Sequence, residues 1–255
     1  MNKILTIAEN TFKEAIRDKI LLSITIIGFL LIAASKIFIP VSIGEEVKII
    51  KDFGISLIEI FGVFIIVFVG TRIFHQETER KTIYSIMSKP LSALEFVAGK
   101  FLGMYYLIVV VLLLLFAIFM LFSGLYLGKI DLYLLNILYF FLFEFLLLDA
   151  LVIFLSCFMA PLTSGIIALL LFFIAHLTFY LITLTQLIKI PALVILLNFL
   201  YYVLPNFSVF NIKASVVYHL PIGINTYMLA FSYSLLYSLI LIIFSSFLFS
   251  NKEFL

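Results

Sequence analysis

The stretch "LIVVVLLLLFAIFMLF", Leu107–Phe122, decides the fold. It carries no charge and no turn residue, and apolar positions do not alternate with polar ones. A strand of a membrane barrel would alternate lipid-facing and lumen-facing residues. A run that is apolar on every face is instead a helix wrapped by lipid or by other apolar helices. The rest of the chain agrees. Of its 255 residues 65% are hydrophobic and only 12% charged, where a soluble domain carries about 25% charged residues. Most of this chain is solvated by lipid, where the backbone must satisfy its own hydrogen bonds. The expected fold is all-α, a polytopic helical membrane protein forming one domain over residues 1–255.

A span needs roughly 20 apolar residues, and six segments meet that need. They cover about 20–39, 53–73, 101–123, 132–158, 164–185 and 225–249. The first, "LLSITIIGFLLIAASK", reads as an uncleaved span, because the segment before it mixes acids with bases. That segment, residues 1–19, is amphipathic. Ile4, Leu5, Ala8, Phe12, Ala15 and Ile16 share one side, and Glu9, Asn10, Lys13, Glu14, Arg17 and Asp18 the other, as in a helix lying in the membrane interface. Lys3, Lys13, Arg17, Lys19, Arg72, Arg80, Lys81, Lys89, Lys100 and Lys252 fall on one side of the six-span layout. Lys36, Lys48, Lys51, Lys129, Lys189 and Lys213 fall on the other. The excess of cations on the first side makes it cytoplasmic, with both termini there. Residues 186–224, broken by Pro191 and Pro205, read as a re-entrant or interfacial outer segment; the rival reading is a seventh span.

The chain has none of the marks of a catalyst. It lacks a phosphate-binding G-x-x-x-x-G-K-[ST] loop, an H-E-x-x-H metal helix, a C-x-x-C pair and a G-x-S-x-G elbow. The single cysteine, Cys157, forms no internal disulfide and sits in "FLSCFMAP" away from any base. No catalytic, cofactor-binding or metal-binding residue is assigned, and the net charge of +2 gives no footing for a nucleic-acid partner. Function is sought instead in ionisable groups within the spans, which are costly there: Glu59, Glu144, Asp149 and His176. The fourth and fifth spans form a hairpin turning at 160–164. Glu144 and His176 each lie about sixteen residues from that turn, which is ~24 Å at the helical rise. A carboxylate–imidazole pair is one expectation for them, with a transport role or a purely structural interhelical bond as its two meanings. Asp149 lies five residues from Glu144, on a different face, and is expected to reach the cytoplasmic interface.

The longest polar-rich stretch is "ETERKTIYSIMSKPLSALEFVAGKFLG", Glu77–Gly103. Glu77 and Lys81 stand four apart, in the favourable order for a helical ion pair. Pro90 breaks that helix, and Ser92 with Glu95 has the spacing of a capping box that opens the next. This is a charged helix, a sharp turn and a new helix entering the membrane, more than a plain connection requires.

This pattern resembles the type-2 ABC transporter permeases, most closely the branch that includes the permease of the nitrous-oxide-reductase maturation system. In that family a coupling helix follows the second span. Its features fall here on Glu77, Glu79, Thr82, Ser88, Pro90, Ser92, Gly99 and Lys100, with Ala93 where the family usually has arginine. The amphipathic start resembles the family's elbow helix, "FMAPLTSGIIA" its turn between spans four and five, and "YYVLPNFSVFNIK" its outer segment before the last span. The resemblance implies a permease subunit that is not itself an enzyme and works as a homodimer with two copies of a separate ABC ATPase. ATP and magnesium would bind on that partner. The coupling segment, residues 74–100, would meet it through Glu77, Glu79, Arg80, Lys81, Thr82 and Pro90. An exporter or maturation transporter in the cell's inner membrane, seated in lipid, is the implied role. An ion-driven carrier using Glu144 and His176, or a membrane assembly factor, are the alternatives.

Overall fold

The computed structural model describes residues 3–34, 46–79, 92–178 and 190–250. Among these residues every regular element is helical. The helices are α1 (Lys3–Ile16), α2 (Lys19–Ala33), α3 (Glu46–Glu79), α4 (Ala93–Leu127), α5 (Leu135–Ser156), α6 (Pro161–His176), α7 (Pro191–Val203), α8 (Lys213–Val217) and α9 (Ile224–Ser250). Two 3₁₀ turns, Leu132–Leu134 and Phe207–Phe210, precede α5 and α8.

Local chemistry sets the boundaries. Asp18 accepts a hydrogen bond from the Ile20 amide at 2.7 Å and separates α1 from α2. Ser92 caps α4 through the Glu95 amide, while the Glu95 carboxylate accepts from the Ser92 amide at 2.9 Å, completing the capping box expected from the sequence. Gly128, at φ 66°, closes α4 in the left-handed conformation. Asp131 and Asn206 cap the two 3₁₀ turns by accepting from the amides two residues on, and Pro161 takes the first position of α6.

Four helical stretches are long and apolar enough to cross a membrane: Glu46–His75, Ala93–Tyr126, Leu132–Ser156 and Ile224–Ser250. The other two expected spans appear as shorter apolar helices, α2 and α6, each bordering residues outside the description. The architecture is that of a polytopic membrane protein. Outward faces are greasy: Leu229, Leu236, Ile240, Ile243, Phe244 and Phe247 line the exposed side of α9.

The central element is α5. It packs against α3, α4, α6 and α9, and 14 of its 22 residues are buried, Glu144 and Asp149 among them. The Phe145 ring fills the notch left by Gly62 on α3, and the Phe119 ring of α4 fills that at Gly54. Such ring-into-notch contacts supply the dispersion that holds helices together where no hydrophobic effect separates them from lipid. On the outside of the bundle α1 lies along α4. It buries Ala8, Thr11 and Ala15, while Glu9 and Lys13 pair at 2.6 Å on its exposed face. The close approach runs over Gly99 and Gly103, four residues apart on α4: a Cβ on Gly103 would sit 2.5 Å from the Ala8 carbonyl oxygen.

Candidate functional site

Four helices bring ionisable groups together inside the bundle. Glu59 comes from α3, Glu144 from α5, His176 from the last position of α6 and Lys213 from the first position of α8. His176 Nε2 lies 3.3 Å from Glu144 Oε1 and 3.7 Å from Glu59 Oε1. Its Nδ1 stands 3.1 Å from the Phe172 carbonyl oxygen. A carbonyl only accepts, so Nδ1 carries a proton and donates, and the ring presents Nε2 to both carboxylates. The imidazole is clamped by Phe172, at 4.5 Å between ring centroids, and stacked on Phe207 at 5.7 Å. The Lys213 ammonium donates to the other oxygen of Glu59. Glu144 is 1% exposed, and its Oε1 receives no hydrogen bond among the described residues.

The segment that carries Lys213 is tied down separately. The Asn206 amide donates to the Tyr233 hydroxyl at 2.7 Å, and the Thr178 hydroxyl donates to the Asn206 side-chain oxygen at 2.8 Å. Glu59 lies eight residues along α3 from Lys51, about 12 Å at the helical rise. Lys213 therefore reaches well inside the ring of polar groups at that end of the bundle.

That ring joins α3, the α4–α5 connection and the turn before α9. Asp131 pairs with the Lys51 ammonium and lies 3.1 Å from His219 Nε2. His219, at φ 53°, is the one non-glycine residue in the left-handed region among the described residues, and Asp131, Lys51 and the Tyr133 ring surround its imidazole. The Tyr133 hydroxyl donates to the Leu220 carbonyl, and Tyr126 donates to Glu46 at 2.5 Å. Burial pushes the Asp131 carboxyl upward. The Lys51 hydrogen bond, the Tyr133 amide and the charges of Lys51 and His219 outweigh it and hold the pKa below the usual carboxylate value.

The opposite end gathers the C-terminal part of α3, the start of α4, the α5–α6 turn and both ends of the described chain. Arg72 meets Asp18 at 3.3 Å, Lys3 meets Glu95 at 3.8 Å, and Lys100 reaches Glu14 at 3.6 Å. His75 bridges the carbonyls of Thr71 and Met159 at 2.8 and 2.7 Å. Phe249 of α9 stacks on Phe96 at 5.0 Å.

Glu144 and His176 thus lie side by side. Glu77 and Glu79 are among the last residues of α3, but their side chains, and all of Arg80, Lys81, Thr82 and Pro90, lie outside the described residues. The expectation for Asp149 is corrected: it is 0% exposed, and neither carboxylate oxygen has a hydrogen-bond partner among the described residues. The reason is the position of α5, which is surrounded, so that a different face is merely another buried face. Lys213 was grouped with the cations of the outer side by its place in sequence, and no spacing signal ties it to Glu59. The glycines under α1 did carry a signal, a G-x-x-x-G spacing at Gly99 and Gly103 that marks close helix approach.

The bundle buries ionisable groups at its centre, where they are costly and mark a candidate functional site, and the comparison by sequence gives the family. The model of the ABC-2 family transporter proteins matches residues 5–254, and the chain belongs to that family. It is a membrane permease component of an ABC transporter, and membership of the family implies partnership with an ABC ATPase. A search of curated proteins found no match.

Proposed function

We infer that this chain is the membrane half of an ATP-driven exporter or maturation transporter, of the branch that includes the nitrous-oxide-reductase maturation permease. In this reading two identical permease chains join two ATPase subunits, which bind ATP and magnesium. The protein sits in the inner membrane with both termini in the cytoplasm. It has six spans, with α2 and α6 belonging to the first and fifth, α1 as the interfacial elbow, and 186–224 on the outer side. Residues 77–90 form the coupling element, with Glu77, Glu79, Arg80, Lys81, Thr82 and Pro90 against the ATPase.

One observation carries this reading. Helix α3 is 34 residues long and α4 is 35, about 50 Å each, against a hydrocarbon core of about 30 Å. Both overrun the membrane, and the end where α3 stops and α4 starts is the one braced by Arg72–Asp18, Lys3–Glu95 and the Phe96–Phe249 stack. In this reading the two long helices act as levers for the coupling element. Nucleotide-driven closure of an ATPase dimer would move both and shift the population between inward- and outward-facing states.

The test is recovery of the protein from its native membrane in mild detergent, with ATP hydrolysis assayed in the co-purified material. The expected result is an ATPase subunit that is lost when Glu79→Lys and Arg80→Glu are combined. A clean preparation without ATPase, repeated after crosslinking, would sink the assignment of this segment. It would favour the second reading, an ion-driven carrier, which rests on Glu144 and His176 lying 3.3 Å apart inside the bundle.

A further inference from the structure

We propose that Glu59, Glu144 and His176 form a binding site for a divalent first-row transition-metal cation of the zinc class. The proposal stands apart from the ATPase reading above, since it concerns what the bundle holds rather than what drives it.

The argument starts from the imidazole. Nδ1 is committed as a donor to the Phe172 carbonyl, which fixes the tautomer and leaves Nε2 to face two carboxylate oxygens. A lone pair facing two carboxylates is repulsive unless a proton, on the ring or on a carboxyl, or a metal cation stands between them. A proton on Nε2 would form a charge-assisted hydrogen bond, and such bonds close to about 2.7–2.9 Å. Neither contact does: the distances are 3.3 and 3.7 Å, and the deeply buried Glu144 Oε1 receives no hydrogen bond of good geometry among the described residues.

The spacing fits a metal better. Bonds of about 2.0–2.1 Å in a tetrahedral ion set neighbouring ligand atoms about 3.3–3.4 Å apart. His176 and Glu144 already stand at that spacing, His176 and Glu59 are 0.4 Å wider at 3.7 Å, and all three ligand atoms, from three helices, lie within 4.8 Å of one another, so that the carboxylate of Glu59 has to draw in to complete the site. The surroundings complete the site. Lys213 holds the second oxygen of Glu59, and the Phe172 carbonyl holds the second nitrogen of His176, the outer-sphere support that orients metal ligands. One imidazole and two carboxylates, with no thiolate among them, select zinc, manganese or iron(II) over soft copper(I). Three protein ligands leave a fourth position open, and His176, whose side chain is 19% exposed, lies on the accessible side of the site.

The experiment uses the full chain, free of any histidine tag, purified in detergent and stripped with a chelator. Zn²⁺ is added, unbound metal is removed by gel filtration, and the ion is counted by mass spectrometry. Co²⁺ is titrated in parallel and followed by its visible absorption. About one Zn²⁺ per chain is expected, with the intense visible bands of four-coordinate Co²⁺. Glu144→Gln and His176→Gln should each weaken binding at least ten-fold, and Asp149→Asn should leave it unchanged. Far-substoichiometric Zn²⁺ on the wild-type chain, or binding equal in the wild type and in all of Glu59→Gln, Glu144→Gln and His176→Gln, would overturn the proposal. The cobalt spectrum of the wild-type chain decides the matter even where a variant fails to fold, since six-coordinate Co²⁺ absorbs weakly and would refute the site. No ATPase enters the assay, so its outcome is independent of the coupling experiment.

Discussion

The seat of α1 on α4 predicts that one substitution, Gly→Ala, has unequal effects in two helices. At Gly103 an added Cβ would meet the Ala8 carbonyl oxygen at 2.5 Å and Thr11 Cβ at 2.6 Å, where ordinary contact begins at 3.4 Å. The shortfall is about 0.9 Å, and the first obstacle is backbone, which has no rotamer to change. Helix α1 must lift off its groove, and overpacking of this kind costs about 1–3 kcal/mol. At Gly165 on α6 the nearest atom is Val67 Cγ1 at 3.4 Å, so a methyl group fits. Both sites are interior to helices, so both substitutions gain the same helix preference, about 1 kcal/mol at most. Subtracting one variant from the other removes that gain and leaves the steric cost alone, a factor of about 5–150 in equilibrium constant. Hydrogen exchange on the amides of α1 reads it directly. Gly103→Ala should speed exchange across residues 7–16 by that factor, and Gly165→Ala should leave it unchanged. Exchange within two-fold of wild type in Gly103→Ala, or equal changes in both variants, would refute the tight seating of α1 and its reliance on the glycine pair.

Three further outcomes are expected. Asp131 has a folded-state pKa below its ordinary value, so its contribution is complete above the unfolded carboxyl pKa of about 4 and is lost as pH falls through the lower folded value. Melting temperature measured from pH 6 down to pH 3 should drop at the acid end, and Asp131→Asn, which still faces Lys51, His219 and Tyr133, should lower stability at pH 6 and flatten that slope. Asp149→Leu keeps the branched skeleton while deleting a buried carboxyl that has no hydrogen-bond partner among the described residues; detergent-denaturant titration should show a gain of roughly 1–3 kcal/mol, and a loss would reveal an obligatory partner. Ser92→Ala removes the cap of α4 and should cost about 1 kcal/mol, visible as faster hydrogen exchange in the first turn of α4 and nowhere else.

What the sequence disclosed and what it hid follow from the nature of the solvent. In water the contrast between apolar and polar residues tells a helix which way to face. In lipid both the bundle interior and the surroundings are apolar, so α5, central and surrounded, reads much like α9, whose outer side is exposed. The run Leu107–Phe122 therefore gives the class of fold but not the neighbours of its helix, and Asp149, expected at an interface, is instead buried by the helices packed around α5. Chain-local chemistry suffered no such loss. Ser92 and Glu95 announce a helix start because both partners lie within four residues. Counting outward from the α5–α6 turn sets Glu144 and His176 at one depth, since a short hairpin fixes register. Glu59 and Lys213 stand 154 residues apart, and no turn links their heights. The directional information in such a chain rests in its few polar residues. Each one placed in the bundle demands compensation, and where the compensating group is distant in sequence only the assembled helices reveal it. The cluster at His176 draws on four helices, which is why its nearest pair could be reached by counting and its remaining members could not.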